Sequence, residues 1–167
     1  MYYFAYGSNM NSEQMAYRCP GAITAGHGIL WDYALVERKY ADIERRPGAW
    51  IHGLLWEISE ENMHSLDRYE GCPKIYRRYP ADIIFDGRKV RAVVYEMTQA
   101  AKRERDGIPY SPEYRKLCSD GAVMNGIKDA FKVKEKTEHG INLFFCCLLP
   151  FHIFRIFRIF RSKKDSV

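Results

Sequence analysis

The chain predicts an α+β domain. Apolar residues alternate with polar or small ones in enough stretches for about six strands, the spacing of a half-buried sheet. Three segments instead carry helix-start residues followed by helical spacing, and the order never settles into the strand-helix-strand alternation of a parallel sheet. A length of 167 residues is that of one domain with a real core.

Tyr2 to Tyr6 is aromatic and small apolar, as a buried strand requires, and Gly7, Ser8 and Asn9 then supply turn chemistry. A helix is expected from Asn11 to Arg18, with Asn11 as its cap and Gln14 in the reciprocal position; Cys19, Pro20 and Gly21 stop it. Between Ala22 and Tyr40, the set Ile29, Trp31, Tyr33 and Leu35 alternates with its neighbours, which predicts a strand with that set, Trp31 and Tyr33 included, on the core face. Lys39 to Trp50 reads as a loop carrying a short strand piece at Ala41 to Glu44, with Arg45 and Arg46 on the solvated surface. Trp50 to Ile58 returns as a strand, in which Gly53 marks a bulge or a close backbone approach.

Ser59 caps a helix from Glu60 to Glu70 whose first turn carries Glu60 and Glu61, and Gly71 is its left-handed stop. Ile75 to Phe85 and Lys89 to Met97 form a hairpin through Asp86 and Gly87. Val90, Ala92 and Val94 alternate with Arg91, Val93 and Tyr95, so its second strand is expected to be buried on more than one side. Ser111 and Pro112 start a third helix, with Tyr114, Leu117, Cys118 and Gly121 on one face and Gly126 at its end. Ile127 to His139 reads as helical and charged.

The domain is expected to occupy residues 1–140, with 141–167 an apolar and basic extension. Five cations in that extension face only Asp165 and supply most of the formal charge of +5, which excludes a whole-surface nucleic-acid footprint for the domain. The apolar run from Ile141 is too short to span a bilayer before Pro150 and the arginines intervene. A membrane-surface anchor is disfavoured because the Ile-Phe-Arg repeat, at a period of three, scatters its arginines around a helix. The five cysteines form no Cys-x-x-Cys pair and the histidines no ligand cluster, so neither a disulfide framework nor a metal site is expected. A reducing, cytoplasmic compartment fits that usage, and the N-terminus shows no signal-peptide pattern.

Two places hold chemistry. At Gly7, Ser8 and Asn9 successive amides can form an anion-binding nest, though an ordinary turn after a strand would look the same. Glu70 lies seven residues beyond Met63 and four beyond Leu66, so its carboxylate shares their inward stripe at the negative end of the helix. Burial and the helix dipole both disfavour its charged form and raise its pKa toward the range useful for proton transfer. The alternative is an ion pair from Glu70 to Arg77 or Arg78 that holds the helix to the next strand. Asp67, one turn earlier, reads as the structural acid.

Three segments resemble, in order, the motifs of the γ-glutamylcyclotransferase and AIG2-like family. They are Tyr6-Gly7-Ser8-Asn9; Gly53-Leu54-Leu55-Trp56 followed by Leu66-Asp67-Arg68-Tyr69-Glu70-Gly71; and Ser111-Pro112-Glu113-Tyr114 followed by Gly121-Ala122 and Asn125-Gly126. The resemblance covers residues 1 to about 127 and leaves the last forty unmatched. It implies a small, strongly curved mixed sheet or barrel flanked by short helices, with a pocket at one end. It further implies an enzyme that closes a γ-glutamyl group to 5-oxoproline without metal or cofactor, with Glu70 as the catalytic residue. Tyr3, Phe4, Ala5 and Tyr6 would line the pocket floor, Gly7, Ser8 and Asn9 would hold the substrate, and Tyr76 and Tyr114 would stand beside it. One residue fewer separates Glu70 from Tyr76 than the family pattern has. The expected partner is a small γ-glutamyl compound, with no nucleic acid, and the protein a monomer or homodimer. A γ-glutamylamine cyclotransferase, a deprotecting acyltransferase and a non-catalytic binding module share this resemblance, and the leaving group stays open.

Overall fold

The computed structural model describes residues 1–127, 130 and 134–135. The chain divides into Met1–Lys136 and Thr137–Val167, and the second unit, with the expected extension, lies outside the described residues. The first unit contains β1 (Tyr2–Ala5), a short 3-10 turn (Ser8–Met10), α1 (Ser12–Arg18), β2 (Ile23–Arg38) and β3 (Tyr40–Glu57). It continues through α2 (Glu60–Glu70), β4 (Tyr76–Phe85), β5 (Arg88–Met97), α3 (Gln99–Arg105), α4 (Pro112–Met124) and β6 (Lys134–Glu135). The fold is α+β.

Strand order runs β1-β5-β4-β2-β3, and β3 pairs back onto β1, so five strands close on themselves, with β6 attached outside on β3. Only β1 with β5 is parallel among the barrel pairs. β1 therefore has both edges bonded: Tyr3 faces Trp56 on one side and Val93 on the other. Closure needs close contact at Gly53, where an added Cβ would stand 2.4 Å from the Ala5 carbonyl oxygen and 2.5 Å from the Phe4 ring. That is the close backbone approach its sequence position announces.

Strand alternation divides the core in two. Phe4, Leu30, Ile43, Ile51, Leu55, Ile83 and Val94 form one cluster, drawn almost wholly from strands. Tyr3, Ala5, Leu54, Trp56 and Met97 point the other way and meet Met10, Met15, Met63, Leu66 and Ala122 from the 3-10 turn and the helices. β5 is buried on both faces from Val94 to Met97.

Four expectations change. Lys39 to Trp50 is no loop: Lys39 alone turns the chain, at φ 59°, and β3 pairs with β2 from Tyr40 onward, interrupted by a register shift around Asp32. In β2 the buried positions are Gly28, Leu30, Ala34 and Arg38; of the expected set Tyr33 and Leu35 pack half-buried against the barrel cluster, while Trp31 is exposed and its ring lies 5.0 Å from that of Trp50. Both faces of that strand carry apolar residues, so a period of two could not choose between them. A fourth helix, α3, stands between the hairpin and α4, capped by Thr98, whose side chain accepts from Ala101 N. Lys134–Glu135 is a strand on Ala49–Trp50, which corrects the helical reading there; most of Ile127 to His139 lies outside the described residues. No helix among the described residues is long and apolar enough to cross a membrane.

Candidate active site

A cavity of about 460 Å³ opens where β1 ends, between the helices and the β2–β3 turn. Of the residues predicted from sequence, Tyr3, Tyr6, Gly7, Ser8, Asn9, Glu70, Tyr76 and Tyr114 line it together. Phe4 and Ala5 do not: strand alternation sends Phe4 into the barrel, and Ala5, on the face of Tyr3, is covered within the helix-side core. Gly7 sits at φ −125°, an ordinary value, and its role is space: a Cβ there would lie 2.8 Å from the Ala41 Cβ and 3.2 Å from the Tyr114 hydroxyl.

Asn9 is the hub. Its Nδ2 donates to the Tyr3 hydroxyl at 2.8 Å and to Glu70 Oε1 at 3.0 Å. Its Oδ1 accepts from Gln14 Nε2 at 3.1 Å and Arg18 Nη1 at 2.8 Å, and its carbonyl accepts from Trp56 Nε1 at 3.0 Å. The Asn9 side chain is thus saturated by protein and orients its neighbours. Ser8 and Asn9 line the cavity from the start of the 3-10 turn, and their backbone amides donate to no group among the described residues.

Glu70 is the last residue of α2, where Gly71 takes the left-handed conformation at φ 63°. It is the one carboxylate lining the cavity among the described residues. Burial raises its pKa above the usual carboxylate value, opposed by the Arg18 guanidinium and the Asn9 hydrogen bond. The alternative pairings fall away: Arg77 bonds Glu96 at 3.0 Å and Arg78 bonds Asp67 at 3.0 Å. Asp67 also accepts from the Tyr95 hydroxyl at 2.8 Å, in keeping with a structural acid.

The aromatic wall is fixed by backbone. Tyr76 donates to the Ala41 carbonyl at 2.7 Å, the Ala41 amide donates to the Tyr114 hydroxyl at 3.1 Å, and Tyr6 donates to the Tyr95 carbonyl at 2.6 Å. Burial, then the charge of Glu70 at Tyr3 and Tyr76 and that of Cys118 at Tyr114, pushes the three hydroxyls up, so they stay protonated and leave Glu70 as the group able to exchange a proton. No cluster of metal-ligating side chains exists among the described residues.

Sequence reasoning missed Gln14, Arg18, Tyr40, Tyr69, Tyr95 and Arg105 as lining residues. Gln14 and Arg18 carried a signal, since a spacing of four puts both on one face of α1. The reciprocal capping bond expected from Gln14 is replaced by its bond to Asn9, while Asn11 Oδ1 does cap the helix, accepting from Gln14 N at 3.0 Å.

The family model described as γ-glutamyl cyclotransferase, AIG2-like, matches residues 3–116. The chain belongs to this family. A γ-glutamylcyclotransferase of Mus musculus is 30% identical over 148 residues, covering 80% of this chain and 76% of that protein. One of Bos taurus is 29% identical over 147 residues, covering 79% and 75%. A solved structure titled γ-glutamyl cyclotransferase superposes with a TM-score of 0.70 at 27% identity, over 77% of this chain and 81% of that one. The γ-glutamyl cyclotransferase family is a family of enzymes, and the matched span holds every predicted site residue.

Proposed function

We propose that this protein converts a γ-glutamyl group to 5-oxoproline and releases the attached amine or amino acid, with Glu70 as general base and then general acid. The observation that carries the reading is Glu70 itself, a carboxylate with raised pKa held by Asn9 in a tyrosine-lined cavity. The substrate's α-ammonium is not nucleophilic until it loses a proton, and Glu70 accepts that proton. The freed amine attacks the γ-carbonyl carbon, the C–N bond to the leaving group breaks as Glu70 returns the proton to the departing nitrogen, and the second proton of the ring nitrogen leaves with the released amine as its ammonium. Atoms balance with no water consumed.

The nucleophile is tethered to its target, so the protein's remaining task is to hold the substrate folded. The free amides of Ser8 and Asn9 suit the α-carboxylate or the developing oxyanion. The protonated hydroxyls of Tyr3, Tyr76 and Tyr114 keep the surroundings polar without competing for the proton.

The test is 5-oxoproline formation from a panel of γ-glutamyl dipeptides and γ-glutamyl amines, run beside Glu70→Gln. Product from the unmodified protein and a loss of about 100-fold or more in the variant are expected from removal of a general acid-base group. An unchanged rate in Glu70→Gln, or no product from any compound, rejects the reading.

A further inference from the structure

Two guanidinium groups line the cavity, and they stand on different walls. Arg18 belongs to the α1–α2 wall, bonded to Asn9 and lying over the Tyr69 ring at 5.0 Å, where it acts on Glu70. Arg105 closes α3, on a wall shared with Tyr40, Tyr114 and Leu117.

That second wall is well fastened. Ile108 donates its amide to the Arg105 carbonyl at 3.1 Å, Lys39 donates its amide to the Ile108 carbonyl at 2.6 Å, and Asp106 pairs with Arg38 at 3.2 Å. The end of α3 is thereby tied to the turn that carries Tyr40, whose ring meets Tyr114 edge-on at 5.1 Å. The Arg105 side chain is 19% exposed; only its Nη1 has protein partners, the Ala101 carbonyl at 3.4 Å and the exposed Glu104 at 2.8 Å. Its Nε and Nη2 donate to nothing among the described residues, and no side-chain polar atom there is both buried and unpartnered, so these donors are accessible on a residue that lines the cavity. The Lys39 ammonium, 5.7 Å from the centre of the Tyr40 ring, adds positive charge to the same end.

We infer that Arg105 determines leaving-group specificity by reading a carboxylate on the departing group, with Tyr40, Tyr114 and Leu117 flanking that group's side chain. The inference rests on the cyclisation reading above. With the glutamyl end at Glu70 and the Ser8 and Asn9 amides, what remains to the leaving group is the Arg105 wall. A planar guanidinium with two free donors matches a carboxylate bidentately. A neutral leaving group would forgo that contact, and a cationic one would be repelled.

The experiment uses the full chain with γ-glutamyl-alanine and γ-glutamyl-methionine, each as free acid and as carboxamide, so that only the leaving group's charge changes. The acids are expected to exceed their carboxamides by about 10- to 100-fold in kcat/KM, the worth of a charge-assisted hydrogen bond. Arg105→Met should bring that ratio near one, and Arg105→Lys should fall between. A ratio near one in the unmodified protein, or one that survives Arg105→Met with its circular dichroism intact, overturns the inference while leaving cyclisation standing. Should Arg105→Met fail to fold, the unmodified ratio and Arg105→Lys decide. If none of the four compounds yields 5-oxoproline while a γ-glutamyl amine does, this inference fails and cyclisation stands; if no γ-glutamyl compound does, both fail.

Discussion

The Asn9 side-chain amide divides its two protons between the Tyr3 hydroxyl, at 2.8 Å, and Glu70 Oε1, at 3.0 Å. The loop that follows β1 therefore aims the carboxylate that ends α2, across 61 residues of chain. Asn9→Ala is expected to lower kcat by about 10- to 100-fold with a smaller change in KM, the cost of a misplaced proton-transfer group. Steady-state kinetics with a γ-glutamyl dipeptide checks this, and a change confined to KM would mean that Asn9 serves substrate binding alone.

The pH profile carries a second expectation. In the proposed cyclisation Glu70 must be ionised to accept the ammonium proton, and burial raises its pKa, so activity should rise with pH along an acid limb displaced above the ordinary glutamate value. Arg18 opposes that displacement, so Arg18→Gln should move the limb further up. Profiles of kcat/KM for both proteins measure the displacement, and a limb shifting downward in Arg18→Gln would contradict it.

The same group affects stability with a definite sign. An acid whose folded pKa is raised contributes no penalty below its unfolded pKa, and the penalty grows as pH climbs through the folded value. Glu70→Gln should therefore melt higher than the unmodified protein at neutral pH, with the difference fading near pH 4, where the side chain is protonated in both states. Thermal melts at the two pH values give the comparison.

Buried charge around Lys102 makes a fourth case. Lys102 donates to Glu96 at 2.8 Å and to the Ile43 carbonyl at 3.1 Å, and lies 3.6 Å from Asp42, which is inaccessible to solvent. Lys102→Met removes one cation from two acids that keep Arg38 at 2.8 Å and Arg77 at 3.0 Å, and should cost about 1–3 kcal/mol in urea unfolding. Lys89→Met, which breaks an exposed pair with Asp82, should cost about 1 kcal/mol or less.

At Gly53 the expectation is steric. Gly53→Ala would press a methyl group into the Ala5 carbonyl and the Phe4 ring, costing about 1–3 kcal/mol, and would disturb the strand that delivers the Gly7–Asn9 loop. Urea unfolding together with the activity assay should register both losses.

Much of the site was legible because it depends on local period. Met63, Leu66 and Glu70 fall on one helix face by spacing alone, and Gly71 ends that helix as its type predicts. The pairing of β1 with β5, by contrast, joins residues about ninety positions apart, which no local pattern encodes. β2 defeated the alternation rule because Leu30 and Ala34 compete with Ile29 and Leu35 for the core face. Arg105 left no trace, since it looks like any cation in the last turn of a helix until α3 is seen bound to the β2–β3 turn. Phe4 points into the barrel because a strand presents only alternate residues to one surface, whereas Ala5 shares the face of Tyr3 and is kept from the cavity by the packing over it.

β1, bonded along both edges, has a further consequence for assembly. Its antiparallel partner stretches to Glu57, but its parallel partner begins only at Tyr2 opposite Ala92, so the ring of strands cannot close until the hairpin of β4 and β5 exists. Such a long-range closure has a large loop entropy to overcome and makes a slow, late step. Because Tyr3 and the loop beyond it ride on that strand, the cavity around Glu70 matures with the final closure, and a chain interrupted before residue 92 would carry Asn9 and Glu70 without the enclosure that Tyr95 and Tyr114 complete.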